Sequence, residues 1–132
     1  MPLVTINLRK GRPPKVRRAI ADAVQAALVN ILGLPDADRY QLVREYDPEN
    51  FIHTDAYLDL EDSTDLLMIE IAFIEGRSDE TKKALLKDLN RRLAATGSVR
   101  PNDVFVTIFE AGRANFSFGK GLAQRATESY AH

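Results

Sequence analysis

Pro2 follows the initiator methionine, and removal of Met1 would leave its nitrogen as a secondary amine. An α-amino group titrates near ~7.7–8.0, close enough to neutrality to serve as base or acid. Apolar surroundings or a nearby cation would lower that value, and a nearby carboxylate would raise it. With Met1 retained the nitrogen is an amide and has no such chemistry. A second-place proline is also compatible with an ordinary chain start, so Pro2 alone decides nothing.

Arg77 follows Gly76, and the same dipeptide occurs earlier as Gly11-Arg12. A guanidinium there can hold a carboxylate through a bidentate pair, or can pair with an acid as a surface arginine does. Asp38 lies in Leu34-Pro35-Asp36-Ala37-Asp38-Arg39-Tyr40, a turn entering a strand. Its carboxylate can serve a neighbouring amine, or can simply organise the turn.

Other chemistries lack their residues. Cysteine is absent and only His53 and His132 are present. That removes thiol nucleophiles and thiolate metal sites, and argues against a histidine-rich metal centre. Gly119-Lys120-Gly121 lacks the phosphate-loop pattern, and no nucleophile-elbow motif occurs. No metal and no cofactor are therefore expected. Lys and Arg number 18 against 19 Asp and Glu, a formal charge of −1. That balance calls for neither nucleic acid nor an anionic membrane as partner. No apolar stretch approaches the ~20 residues that span a bilayer, so the chain reads as soluble and cytoplasmic.

An internal repeat must position these groups. Gly11-Arg12 and Gly76-Arg77 are offset by 76 − 11 = 65 residues. At the same offset Ile6 meets Ile71, Ala19 meets Ala84, Leu28 meets Leu93, Asp38 meets Asp103 and Glu45 meets Glu110. The two units run over about 2–46 and 67–111. An acidic connection, 47–65, joins them, and a tail, 112–132, follows, all within one domain of 132 residues.

Each unit reads as strand, helix, strand. Val4, Ile6 and Leu8 alternate on one strand face, and Leu66 to Ile74 is more continuously apolar. Pro13-Pro14 and Ser78-Asp79-Glu80 open the helices. Val16, Ile20, Val24 and Ile31 form one helical face, and Leu85, Leu86, Leu89 and Leu93 the other. Gly33 and Gly97 stop the helices. The closing strands run over about 39–45 and 104–110. Phe116-Ser117-Phe118-Gly119-Lys120-Gly121 suits a hairpin or a pocket lid.

The fold class is therefore α/β. Two tandem β-α-β units form a four-stranded sheet with both helices on one face. The opposite sheet face needs cover, which predicts an oligomer.

Together these residues resemble the tautomerase superfamily. The features are Met1-Pro2 opening a strand, Gly11-Arg12 before a helix, Pro35 to Gln41 leading into a second strand, Gly76-Arg77, and Phe116-Ser117-Phe118-Gly119. Each half is similar to one 4-oxalocrotonate tautomerase chain, and the two-unit length to the malonate semialdehyde decarboxylase group. The resemblance implies a homotrimer that acts on a small carboxylic acid, keto/enol or β-keto, through an amino-terminal proline. Carried over, Pro2 is that proline, Asp38 the catalytic aspartate and Arg77 the carboxylate-binding arginine. Phe116 and Phe118 match the aromatic wall of the pocket, with Tyr40 beside them as a further binding residue. Leu67 holds the repeat position of Pro2, so only the first unit can supply the amine. One position departs: the decarboxylase pattern has a further arginine where this chain has Glu75. The competing expectation is a noncatalytic trimeric scaffold or small-acid binding protein that kept the fold. A hydratase or isomerase of unsaturated acids is a third.

Overall fold

A computed structural model of the chain describes residues 2–126. Met1, His132 and the end of the tail lie outside the described residues. Strand β1 (Leu3–Arg9) leads into helix α1 (Pro14–Leu32) and strand β2 (Tyr40–Tyr46). A two-stranded ribbon follows, β3 (Ala56–Tyr57) and β4 (Leu60–Glu61). The second unit is β5 (Leu67–Ile74), α2 (Asp79–Ala95) and β6 (Val104–Ala111).

The four long strands form one sheet in the order β2-β1-β5-β6. Within each unit the strands are parallel: Leu3 lies beside Tyr40 and Leu67 beside Val104. The units meet through β1 and β5, which are antiparallel, with Leu3 beside Ala72 and Asn7 beside Met68. Two like units joined antiparallel at their first strands are related by a pseudo-two-fold axis through the sheet.

The alternation in β1 sends Val4, Ile6 and Leu8 to the helix-covered face, where they are buried with Ile69, Ile71 and Phe73 of β5. From the helices, Ile20, Val24 and Leu28 meet this layer, as do Leu85, Leu89 and Leu93. A period near four on each helix places these groups on one stripe. Leu86, expected on that stripe, is 39% exposed instead. One residue on from Leu85 is a rotation of about 100°, which carries its side chain to the rim. Asp88 takes the buried place between Leu85 and Leu89, and Arg91 and Arg92 satisfy it at 2.7 Å each. Gly33 ends α1 in the left-handed region, with its N–H bonded to the Val29 carbonyl. Ser78 caps α2 by accepting from the Thr81 N–H.

The face away from the helices carries Leu3, Tyr40, Leu42, Phe105 and Phe109, each about half exposed. The acidic connection, expected only as a link, holds the β3–β4 ribbon. Leu58 and Asp59 turn it through positive φ. No helix among the described residues is long and apolar enough to cross a membrane.

Candidate active site at the entry of the first strand

Pro2 is buried, one residue before Leu3. Continuing the β1 register by one residue sets Pro2 beside Arg39 on one side and Phe73 on the other. Phe73 is fully buried, and the Arg77 guanidinium carbon lies 5.1 Å from the centroid of its ring. Arg77 Nη1 also donates to the Ile74 carbonyl at 3.2 Å. Pro2 and Arg77 thus share Phe73 as a neighbour, although they are 75 residues apart in sequence. Burial, then the nearby Arg113, pulls Arg77 below the ordinary arginine value, and Glu110 works against this.

Asp38 closes a turn in which its N–H donates to the Pro35 carbonyl at 3.0 Å. Gln25 of α1 holds that turn by donating to the Asp38 carbonyl at 3.1 Å. Both Asp38 carboxylate oxygens are shielded from solvent. Pro35, at the other end of the turn, lines a cavity of about 400 Å³ together with Leu34, Ile74, Gly76 and Arg77. The turn therefore joins the start of β2 to the mouth of the Arg77 cavity.

Tyr40 and Phe118 meet, with ring centroids 5.9 Å apart and planes tilted by 57°. They sit on the open sheet face beside Leu3, and neither lines the Arg77 cavity. Phe116 is half-buried at the end of the turn formed by Arg113–Asn115 and does not line it either. Gly119 and Leu122 form an isolated bridge around Lys120, so the glycine-rich stretch is a tight reversal, as its composition suggested.

The pseudo-two-fold axis supplies a second copy of this end. A cavity of about 580 Å³ is lined by Gly11, Arg12, Pro48, Asp65 and Ser98, among others. At the 65-residue offset Gly11, Arg12, Gly33 and Pro48 match Gly76, Arg77, Ser98 and Arg113. Here the connection enters the site. Arg12 donates to the Asp65 carbonyl at 2.5 Å. Asp103 is fully buried and accepts from the Ser63 N–H at 2.8 Å and the Ser63 hydroxyl at 2.7 Å. Residues 63–65 thus run between Asp103 and Arg12 and lead into Leu67. In the first unit the equivalent pair is Asp38 and Arg77, and the residue leading into the strand is Pro2. The fold makes two such ends, and in one of them residues 63–65 engage both the aspartate and the arginine while a cavity remains beside Arg12.

Arg113 and Arg125 also line the Arg77 cavity, and sequence reasoning missed both. They lie in the tail, past the units read from the sequence. A signal for Arg113 existed: it stands two residues past the end of β6, whose last residue, Ala111, is registered beside Ile74. Glu75 lines the same cavity as Arg77.

Two family models match the sequence, over residues 38–119 and 2–60, and both are described as tautomerase enzyme. Among relatives, probable tautomerase YusQ of Bacillus subtilis is 30% identical over 94% of this chain and 98% of its own length. FG41 malonate semialdehyde decarboxylase, in a crystal structure inhibited by 3-bromopropiolate, superimposes with a TM-score of 0.91. It is 38% identical, and 98% of each chain is covered. A second malonate semialdehyde decarboxylase, whose structures address decarboxylase and hydratase activities, gives a TM-score of 0.86 at 30% identity. There 92% of this chain and 94% of the other are covered.

Proposed function

Because this chain belongs to the tautomerase superfamily, we propose that it is an enzyme of the isomerase or decarboxylase kind that uses the Pro2 nitrogen on a small keto/enol or β-keto carboxylic acid. Arg77 anchors the substrate carboxylate, and Asp38 sets the proton state of the amine. The working unit is a homotrimer, its subunits covering one another's open sheet faces.

One observation carries this reading. Of two repeat-related ends, the connection bonds both Asp103 and Arg12 in one, whereas the one with Asp38 and Arg77 has Pro2 leading into its strand. A secondary amine there starts at the sheet end that also carries Asp38, before β2, and Arg77, after β5, although neither Pro2 nor Asp38 lines the Arg77 cavity. A carboxylate neighbour favours the cationic amine. That cation polarises a carbonyl by hydrogen bonding. After giving up its proton, the amine can instead attack the carbonyl carbon, and loss of water leaves an iminium. The carbon–carboxylate bond of a β-keto acid then breaks, CO₂ departs, and the bonding pair moves into the iminium to give an enamine. Protonation at carbon and addition of water return the amine and release the product. With a neutral amine the same group moves a proton between carbon and oxygen of an enol. Tight binding of a departing carboxylate stabilises the ground state and slows its loss. Glu75 beside Arg77 loosens that grip.

The test begins with the intact mass. A mass one methionine short leaves Pro2 with a free amine; a full-length mass removes the proposal and favours a binding protein. The processed Pro2→Ala variant is then compared with wild type on enol acids, by loss of enol absorbance, and on β-keto acids, by CO₂ release. Turnover is expected to fall more than tenfold on at least one class, and unchanged turnover on any acid the wild type consumes refutes the role of the amine.

A further inference from the structure

On the sheet face away from the helices, the Tyr46 hydroxyl donates to Asn7 Oδ1 at 2.5 Å, and Asn7 Nδ2 donates to Glu70 Oε1 at 2.9 Å. Asn7 is buried, so this chain of bonds fixes the direction of the Glu70 carboxylate. A solvated surface glutamate has no such constraint. The second Glu70 oxygen has no partner among the described residues. Glu70, Tyr46, Phe51, Phe105 and Phe109 line a cavity of about 390 Å³, and Glu70 is the only ionised group among its lining residues. A fixed carboxylate among aromatic rings is a cradle for a guanidinium, which pairs with the acid and stacks on the rings.

The same face carries a matching cation. The register sets Arg44 of β2 beside Asn7, so both side chains lie on the face away from the helices. Arg44 is exposed, and among the described residues no carboxylate pairs with it. Arg9, the other arginine of this face, is already used, because it donates to the Phe51 carbonyl at 3.1 Å. Strand β1 stands between Arg44 and Glu70, and the two form no ion pair within the chain. Burying such a face under a second copy leaves two costly charges unless they meet across the contact.

Building on the homotrimer proposed above, we infer that Arg44 of one subunit enters the Glu70 cradle of the next. Cradle and guanidinium are different patches of one face. Each subunit therefore offers one to either neighbour, a head-to-tail contact that closes into a ring.

Arg44→Glu and Glu70→Arg each set like charges across the contact. In sedimentation, each should raise the concentration at which the trimer half-dissociates by at least ~tenfold. The double reversal should restore assembly to within about threefold of wild type. A trimer indifferent to both reversals, or losses that the double reversal does not rescue, overturn the inference and leave the trimer standing. A wild-type monomer defeats the trimer and the inference together. Should a reversal fail to fold by circular dichroism, Arg44→Gln and Glu70→Gln repeat the test. Combined, they should cost no more than either alone, and additive losses overturn the pair. The chain has no cysteine, so Arg44→Cys with Glu70→Cys in one chain gives a clean cross-link. A short bismaleimide should join separate chains in that double variant and in neither single one. A link confined to one chain places the contact within the subunit and overturns the inference. Free arginine that binds the intact trimer, and is lost in Glu70→Gln, leaves the cradle open to a small cation and overturns it as well.

Discussion

Arg12 donates to the carbonyl of Asp65 at 2.5 Å, so the guanidinium of the first Gly-Arg turn is engaged by the chain's own connection. Arg77, in the second turn, lies instead over Phe73 at the edge of a cavity. The two arginines are equivalent in sequence and each lines a cavity, but only Arg12 is bonded to the connection between the units. Arg77→Gln is expected to lower kcat/KM at least tenfold. A charged hydrogen bond contributes about 1.5–3 kcal/mol, which corresponds to roughly ten- to a hundredfold in rate. Arg12→Gln should leave kcat/KM within twofold and reduce stability by about 1 kcal/mol. Steady-state kinetics and urea melts on the two variants check the pair, and similar kinetic losses in both would defeat the assignment.

The aspartates divide in the same way. Asp103 is buried and accepts two hydrogen bonds from Ser63, which fixes the connection before β5. Asp103→Asn keeps one acceptor and turns the other into a donor facing a donor. It should cost about 1.5–3 kcal/mol in a urea melt. Asp38→Asn should act on the pH profile. Removing a carboxylate from beside an amine favours the neutral amine, so the limb of kcat/KM assigned to Pro2 should move to lower pH. A profile identical to wild type would return Asp38 to the role of a turn residue.

The repeat and the β-α-β units were legible because hydrophobic period, Gly-Arg spacing and helix-start residues all pointed to one arrangement. Leu86 was misplaced because a run of leucines blurs the period, and only packing distinguishes Leu85 from its neighbour. That Asp38 lies at the same end of the sheet as Arg77, rather than Arg12, could not be read without the antiparallel join of β1 and β5. That join carries the end of β5 back to the start of β1. The engagement of the second end by residues 63–65 was hidden for another reason: an acidic stretch reads as solvated, and its contacts here run through main-chain atoms and the Ser63 hydroxyl rather than through carboxylates. Arg113 and Arg125 fell past the units read from the sequence, where residue types no longer match although the short turn at Pro48–Asn50 recurs at Arg113–Asn115.

The open sheet face gives a prediction on assembly. Phe105 is 58% exposed in the single chain, and Leu42, on the opposite edge strand, is 46% exposed. Apolar area removed from water is worth about 25 cal/mol per Å², so half-exposed aromatics on one face favour association. Phe105→Asp introduces a charge that a covered face cannot solvate but a free face can. Sedimentation should give a trimer for wild type and a monomer for Phe105→Asp, with unchanged far-UV circular dichroism. A wild-type monomer, or a trimer that survives the substitution, rules out this face as the interface.

Asp88 makes the stability of the helix layer depend on pH. Burial by itself pushes its carboxyl upward, but hydrogen bonds from Arg92, Arg91 and Asn30 together outweigh burial and hold it below the ordinary value. Arg92 and Arg91 approach at 2.7 Å, and Asn30 brings in α1 at 3.5 Å. The unfolded chain binds the Asp88 proton near pH ~3.9, and the folded chain binds it only at lower pH. Between those values the unfolded state holds more protons, so stability rises with pH there. The contribution is complete above the unfolded value and is lost as pH falls through the folded one. In urea melts at pH 7, Asp88→Asn should cost about 1–3 kcal/mol, because the amide cannot accept from both arginines. At acid pH, as the folded value is passed, the difference from wild type should shrink, since the wild-type carboxyl is then protonating as well. A penalty of equal size at both pH values would assign the loss to packing rather than to charge.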